Sequence, residues 1–248
     1  MFSSIVVKNK KNLIFLHGWG GSWQSWFPIL EKLKKDFNLF APDLPGFGKN
    51  LISKPYNLDD YVDYVVEYIQ KNKIEKPILI GHSFGGGIIC KIVIDQKIAI
   101  SKIILVDAAA IRHPHSLLQK INIVIIGSIK KILSLPLINK ILPSVQKTYY
   151  YFTRQQNSDY ATLKDDPIMQ QTFKNIIQHD LTKELPKIKT PTLIIWGELD
   201  LSTLLIDGQK IHQLIPNSEF ISYPKTTHFS YLEEQERFIK DIKKFIEK

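Results

Sequence analysis

The sequence predicts an α/β fold with a mostly parallel central sheet flanked by helices and one helical insertion. Three observations carry that expectation. Short apolar runs alternate with helix-patterned segments over residues 1–110 and 188–248. Residues 77–87, Pro-Ile-Leu-Ile-Gly-His-Ser-Phe-Gly-Gly-Gly, carry an apolar strand through a glycine-flanked serine straight into a helix. Between Asp107 and Pro186 the strand rhythm stops, and roughly 75 residues show helical or irregular patterns.

The elements follow in order. Residues 5–8 and 12–17 read as strands, the second nearly continuous in apolar side chains (Leu13-Ile-Phe-Leu16), as a sheet buried on both faces requires. Residues 22–35 read as a helix with Trp23, Trp26, Phe27 and Leu30 on one side. A strand over Asn38–Ala41 leads to the loop Asp43-Leu-Pro-Gly-Phe-Gly48. Asn57 caps a helix whose Leu58, Tyr61, Val62, Val65 and Ile69 recur at helical spacing. Strands are expected at 77–80, Lys102–Val106, 192–196 and 220–223, and a last amphipathic helix at 233–248 turns Phe238, Ile242, Phe245 and Ile246 inward. A structureless loop over the long gap would count against this order, so a helical cap is expected there. The domain reading is a core in two parts, 1–110 and 188–248, with the cap at 111–187. Within the cap, helices are expected at 116–132 and 167–179, with prolines 136 and 143 breaking the middle. Its apolar stretch 121–142 is expected to pack on the sheet domain with Lys130, Lys131 and Lys140 solvated; a greasy wall for an acyl chain and a membrane-facing lid are the alternatives.

Composition narrows the function. With 44% hydrophobic residues over 248, one large core is affordable, and the single Cys90 forbids an internal disulfide. Cys90 lies among Ile88, Ile89, Ile92 and Val93 and reads as a small buried hydrophobe. Residues 1–8 lack the basic and apolar regions of a signal peptide, and no run of 18 apolar residues exists, so a cytoplasmic location is expected. The net charge is +9, but all basic residues except Arg112, Arg154 and Arg237 are lysine, in keeping with an AT-rich coding bias. No nucleic-acid motif accompanies the charge, so nucleic acid is set aside as a partner. An acidic carrier protein or an anionic membrane surface remains a possible partner; the oligomeric state is left open.

Gly81-His-Ser-Phe-Gly85 makes Ser83 the candidate nucleophile: the turn is so tight that only glycines fit beside it, and the hydroxyl projects from the sheet end. A serine hydroxyl needs a base, and the base needs a carboxylate to fix its tautomer. Asp200, after the run 191–196 and a glycine, and His228, in the loop after 220–223, supply them in the order Ser…Asp…His. Asp107, which ends another strand, is the rival acid, behind Asp200. Asp43 reads as a turn residue, His82 as a residue that packs or bonds locally, and His17 as a brace for its loop. His113 and His115 lack a third ligand, so no metal is expected. The aromatic run 149–152 is expected to pack in the core.

Together His17-Gly-Trp-Gly-Gly21, Ala41-Pro-Asp-Leu-Pro-Gly-Phe-Gly48, Gly81 to Gly86, Trp196-Gly-Glu-Leu-Asp200 and Thr227-His228 resemble the α/β-hydrolase superfamily over nearly the whole chain. The resemblance implies Ser83 as nucleophile, His228 as base and Asp200 as its orienter, with the N–H groups of Trp19 and Phe84 as oxyanion donors and no cofactor. It implies cleavage of a small carboxylic ester or related acyl compound through an acyl-enzyme. Serine at 83 sets aside the dehalogenase and epoxide-hydrolase branches, which need aspartate there. Carboxylesterase comes first; lipase, carbon–carbon bond hydrolase, perhydrolase or haloperoxidase, and the methyl esterase of biotin synthesis follow. A hydrolase-like ligand receptor with slow or no turnover is the alternative from another class.

Overall fold

Leu13 to Leu16 are fully buried, and the same continuous burial recurs in four neighbouring strands, which fixes where the sheet lies. The computed structural model describes residues 2–3, 7–112, 163 and 165–248. Its strands are β1 (Phe2–Ser3), β2 (Asn12–Leu16), β3 (Asn38–Ala41), β4 (Ile78–His82), β5 (Lys102–Val106), β6 (Thr192–Gly197) and β7 (Ser218–Tyr223). Strands β2 to β7 form a parallel sheet in the order β3-β2-β4-β5-β6-β7, with β1 antiparallel on the outer side of β3. The register pairs Ile14 with Leu79, Leu79 with Ile103, and Ile104 with Leu193.

Side chains alternate across this sheet, as the strand period of two dictates. Leu13, Phe15, Ile78, Ile80, Ile104, Val106, Leu193 and Ile195 face one side. There they meet Trp26, Ile29, Leu30 and Leu33 from α1 (Phe27–Leu33) and the turn before it, and Phe238, Ile242, Phe245 and Ile246 from α7 (Gln235–Glu247). On the other side α3 (Phe84–Ile94) packs on β4 and β5, and α2 (Leu58–Lys71) packs on α3. Cys90 is buried on α3, its thiol pushed up to about 12 by burial. Two further helices, α4 (Pro167–Ile177) and α5 (Leu205–Leu214), and the short α6 (Ser230–Glu233) complete the described helices.

The chain divides into two units, Met1–Arg112 with Gln171–Lys248, and His113–Gln170. The expected helix at 116–132, the apolar stretch 121–142, His113, His115 and the run 149–152 lie outside the described residues. In the first unit, Thr172 and Asn175 bond the N–H and the carbonyl of Tyr56.

Two expectations are corrected. Residues 22–35 are not one helix: a 3-10 turn, Trp23–Trp26, precedes α1. Pro28 has no N–H to give the carbonyl of Gln24, so the Phe27 N–H takes that carbonyl in the tighter pattern. The turn swings Phe27 outward, leaving it 46% exposed rather than inside. Val7 and Lys8 are not strand; Asn38 bonds both the N–H and the carbonyl of Val7 with its side chain, and a turn through Asn9 (φ 71°) follows. The last helix is as expected, with Phe238, Ile242, Phe245 and Ile246 buried, but it starts two residues later; the short α6 precedes it and Glu234 separates the two. The helix capped by Asn57 is as expected, with Asp60 completing a capping box.

Candidate active site

Strand order reverses between β2 and β4, and in open α/β sheets ligands bind outside the carboxyl ends at such a point. Ser83 stands at the end of β4 with φ 50° and ψ −113°, a left-handed, strained conformation for a residue with a side chain. Its N–H donates to the Val106 carbonyl (3.0 Å), and its carbonyl accepts from Ala109 N (2.9 Å). The turn closes against β2: a side chain on Gly85 would place Cβ 2.4 Å from the Leu16 carbonyl oxygen, and one on Gly81 would lie 2.6 Å from the Gly85 carbonyl. No larger residue fits at either position.

The loop after β2 holds Trp19. Its ring meets the rings of Phe84, Phe47 and Phe173 at centroid distances of 5.5, 4.9 and 5.0 Å. The N–H groups of Trp19 and Phe84 find no protein acceptor among the described residues. Phe84 is the first residue of α3, where backbone N–H groups are left over by helix geometry. His17 shapes this loop. Leu44 N donates to its Nε2 (3.0 Å), so Nδ1 carries the proton and donates to the Gly18 carbonyl (2.8 Å). Burial lowers its pKa, in keeping with a neutral ring that braces rather than carries protons. Asp43 accepts from Trp23 N at 2.9 Å, which ties the following loop to the 3-10 turn.

Asp200 follows β6 and is 3% exposed. His228 Nδ1 donates to its Oδ2 at 2.7 Å, and the Thr203 hydroxyl donates to the same oxygen at 2.7 Å. Ser202 N and Thr203 N donate to Oδ1 at 2.7 and 3.1 Å. Burial opposes ionisation of this carboxyl, but the bonds from His228 and Thr203 outweigh it and hold its pKa below the usual range. The loop carrying His228 is itself tied down: Glu233 accepts from Thr227 N (3.0 Å), and His82 Nε2 donates to the His228 carbonyl (2.7 Å).

His82 packs, as expected, against the rings of His228, Phe229 and Tyr231, but its hydrogen bond is not local: it reaches a residue 146 positions away. Burial, then the neighbouring His228 ring, pushes its pKa down to about 3, so it is a neutral donor. Ser83 Oγ makes no hydrogen bond among the described residues, and in unliganded sites such contacts often close only with substrate.

Asp107, the rival acid, makes no hydrogen bond to His228. Its Oδ1 accepts from Gly197 N (2.7 Å) and its Oδ2 from Ser230 Oγ (2.6 Å). Thr203, Ser230 and Phe173 were not legible as site residues. A threonine three positions after Asp200 and a serine two after His228 were the only signals for the first two. No group of three or more potential metal ligands occurs among the described residues, and no described helix is long and apolar enough to cross a membrane. A cavity of about 620 Å³ opens at the far, amino end of the strands, and none of these residues lines it. There Lys11 and Lys102 bond carbonyls of the last turn of α7, a cation's usual place at a helix C-terminus.

With this geometry in hand, the comparisons agree on one class. The alpha/beta hydrolase fold family matches residues 11–133. The chain is 30% identical to a pimeloyl-[acyl-carrier protein] methyl ester esterase of Wigglesworthia glossinidia brevipalpis, over 100% of this chain and 98% of that protein. The esterase of that name from Pseudoalteromonas atlantica is 25% identical over 96% and 95%. Among solved structures, MenH from S. aureus superposes with a TM-score of 0.73 at 25% identity, covering 99% of this chain and 96% of that one. The enol-lactonase from Burkholderia xenovorans LB400 does so at 0.74 and 20%, covering 99% and 94%, and bears on the fold. The chain belongs to the α/β-hydrolase family.

Proposed function

We propose that this chain is a serine esterase that hydrolyses a small carboxylic ester through an acyl-enzyme on Ser83. His228 accepts the Ser83 proton as Oγ attacks the ester carbonyl, and the N–H groups of Trp19 and Phe84 hold the oxyanion. The C–O bond of the ester breaks, and His228 returns the proton to the departing alcohol. Water then attacks the acyl-enzyme with His228 again as base, releasing the acid and restoring Ser83. Asp200 keeps the imidazole proton on Nδ1, leaving Nε2 unprotonated to act as the base.

One observation carries the reading. A carboxylate on the loop after β6 accepts the Nδ1–H of a histidine on the loop after β7, and the carbonyl of that histidine is held by His82, the chain neighbour of a serine kept at positive φ on the elbow after β4. The relatives named as methyl ester esterases of an acyl-carrier-bound substrate support a short or medium acyl ester, free or carried. The net charge of +9 suits an acidic carrier. The aromatic rings of Trp19, Phe47, Phe84 and Phe173 suit an apolar acyl group at the elbow. Residues 111–187 are proposed as a cap insertion in the chain, and the cytoplasm as the protein's location.

The test is fluorophosphonate labelling of Ser83 together with p-nitrophenyl esters of rising chain length. Repeated turnover that climbs about fourfold per methylene over the first few carbons is expected. Labelling with a single turnover would instead mark a ligand receptor.

A further inference from the structure

We infer that Asp107 is a positioning residue for this site: its ionised carboxylate fastens the turn leading to Asp200 and the turn following His228 to the end of β5. The inference rests on the esterase reading of Ser83, Asp200 and His228.

Asp107 is fully buried, and no cation bonds its carboxylate among the described residues. A buried carboxylate without a cation is costly to keep, and an apolar residue would fill the space at less cost unless the oxygens are used. Both are used. Oδ1 takes the N–H of Gly197, the last residue of β6, whose carbonyl accepts from Asp200 N. Oδ2 takes the hydroxyl of Ser230, two residues past His228. The Thr203 hydroxyl that donates to Asp200 lies 3.1 Å from the Asp107 carbonyl. The Asp107 N–H donates to the Ile195 carbonyl (3.0 Å), and the residue's φ of 47° aims the side chain out of strand direction.

These segments converge with no slack. A side chain on Gly197 would put Cβ 2.2 Å from the carbonyl of Thr227, the residue before His228. Displacing either turn by a fraction of an ångström therefore displaces both the proposed base and its acid, and geometric errors of that kind cost rate rather than binding.

The anion accepts from both donors at once; a proton on Oδ2 can instead be given to Ser230 Oγ, so protonation reverses that bond and removes the charge that strengthens both. Burial, the largest influence, pushes Asp107 up to about 7; the bonds from Ser230 and Gly197 oppose that, the charge of Asp200 adds to it, and His228 opposes it. Asp200, His228 and the Tyr231 phenol are the titratable groups beside it. The brace accordingly weakens as pH falls through neutrality.

The experiment measures kcat and KM of the purified full chain on p-nitrophenyl butyrate from about pH 5.5 to about pH 9, for wild type, Asp107→Asn, Ser230→Ala and Ser230→Thr. Asp107→Asn is expected to lower kcat about ten- to hundredfold with KM within about twofold. The acidic limb of wild-type kcat, steeper than one proton, should become a one-proton limb in this variant. Ser230→Ala cuts the tie to the turn after His228 at every pH, so kcat should fall across the whole range, and its acidic limb should move to higher pH because removing a donor makes the anion harder to form; Ser230→Thr should behave as wild type. An Asp107→Asn enzyme with wild-type kcat and limb overturns the inference. So does a Ser230→Ala enzyme with wild-type kcat at every pH, and the Ser230 pair decides alone if Asp107→Asn does not fold. Labelled Ser83 with an indifferent Asp107→Asn sinks this inference only, whereas ester turnover by Ser83→Ala sinks it together with the reading beneath it.

Discussion

Asp107 and Asp200 end neighbouring strands, both with almost no exposure (0% and 3%), yet they are opposite kinds of carboxylate. Asp200 receives a histidine, a hydroxyl and two backbone N–H groups, and its pKa falls below the usual range. Asp107 receives one N–H and one hydroxyl with no cation, and its pKa rises to about 7. Burial acts the same way on both. What separates them is the number and charge of the donors, so strand position and burial alone do not identify a catalytic acid.

The largest effects test which aspartate belongs to the histidine. Under the proposed reading, Ser83→Ala and His228→Ala each cost about 10⁵-fold in kcat, and the double variant is little worse, because the two act as a unit. Asp200→Asn should cost about 10⁴-fold, since an amide favours the wrong imidazole tautomer and leaves the imidazolium uncompensated. Steady-state rates on one p-nitrophenyl ester check all three. A greater loss from Asp107→Asn than from Asp200→Asn would reverse the assignment.

The same contrast shows what the sequence can carry. Asp200 stood ahead of Asp107 on its setting in Trp-Gly-Glu-Leu-Asp, although both follow an apolar run. The sheet was legible because five of its strands are buried on both faces and so spell continuous apolar runs, whereas β7 at the edge mixes polar and apolar residues and reads two residues short. The split before α1 was written in Pro28, but helical periodicity hides a missing hydrogen bond until the chain is folded. Ser230, Thr203 and the reach of His82 were out of sight for a different reason. A hydroxyl or imidazole that reaches a partner on another strand end, as Thr203 reaches to 3.1 Å from the Asp107 carbonyl, has no periodicity and no fixed spacing from it.

Stability against pH sharpens the comparison, because the two carboxylates have opposite linkage. The folded pKa of Asp107 lies above its ordinary 3.8, so between about pH 4 and about pH 7 the native state holds a proton that the unfolded chain has released. Stability from this group therefore falls as pH rises, by up to roughly 4 kcal/mol at 1.36 kcal/mol per pH unit. Asp200 has a lowered folded pKa, and its contribution is present above the ordinary value and is lost as pH falls through the folded one. Urea unfolding at about pH 5 and about pH 8 should thus show a smaller drop for Asp107→Asn than for wild type. Asp200→Asn should leave that drop in place. Equal drops in wild type and Asp107→Asn would show that Asp107 does not titrate in this range.

The smallest expected effect lies at a side chain that touches both aspartates. Thr203 Oγ1 is 2.7 Å from Asp200 Oδ2, 3.1 Å from the Asp107 carbonyl and 3.4 Å from His228 Nδ1. A hydroxyl has one proton, and the shortest contact, to the anion, is where it belongs. Valine keeps the shape of threonine and removes only that donor. Asp200 would still hold His228 on Oδ2 and two N–H groups on Oδ1, so the change is about one net hydrogen bond, on the order of 1 kcal/mol, or roughly fivefold in kcat. Thr203→Ser, which keeps the hydroxyl, should stay within about twofold. The informative quantity is the coupling. If Thr203 transmits the bracing of Asp107 to Asp200, the kcat losses of Thr203→Val and Asp107→Asn combine to less than their product in the double variant. A full product would mean that the two aspartates act on His228 independently, and that the bridge seen at Thr203 joins them in space but not in function.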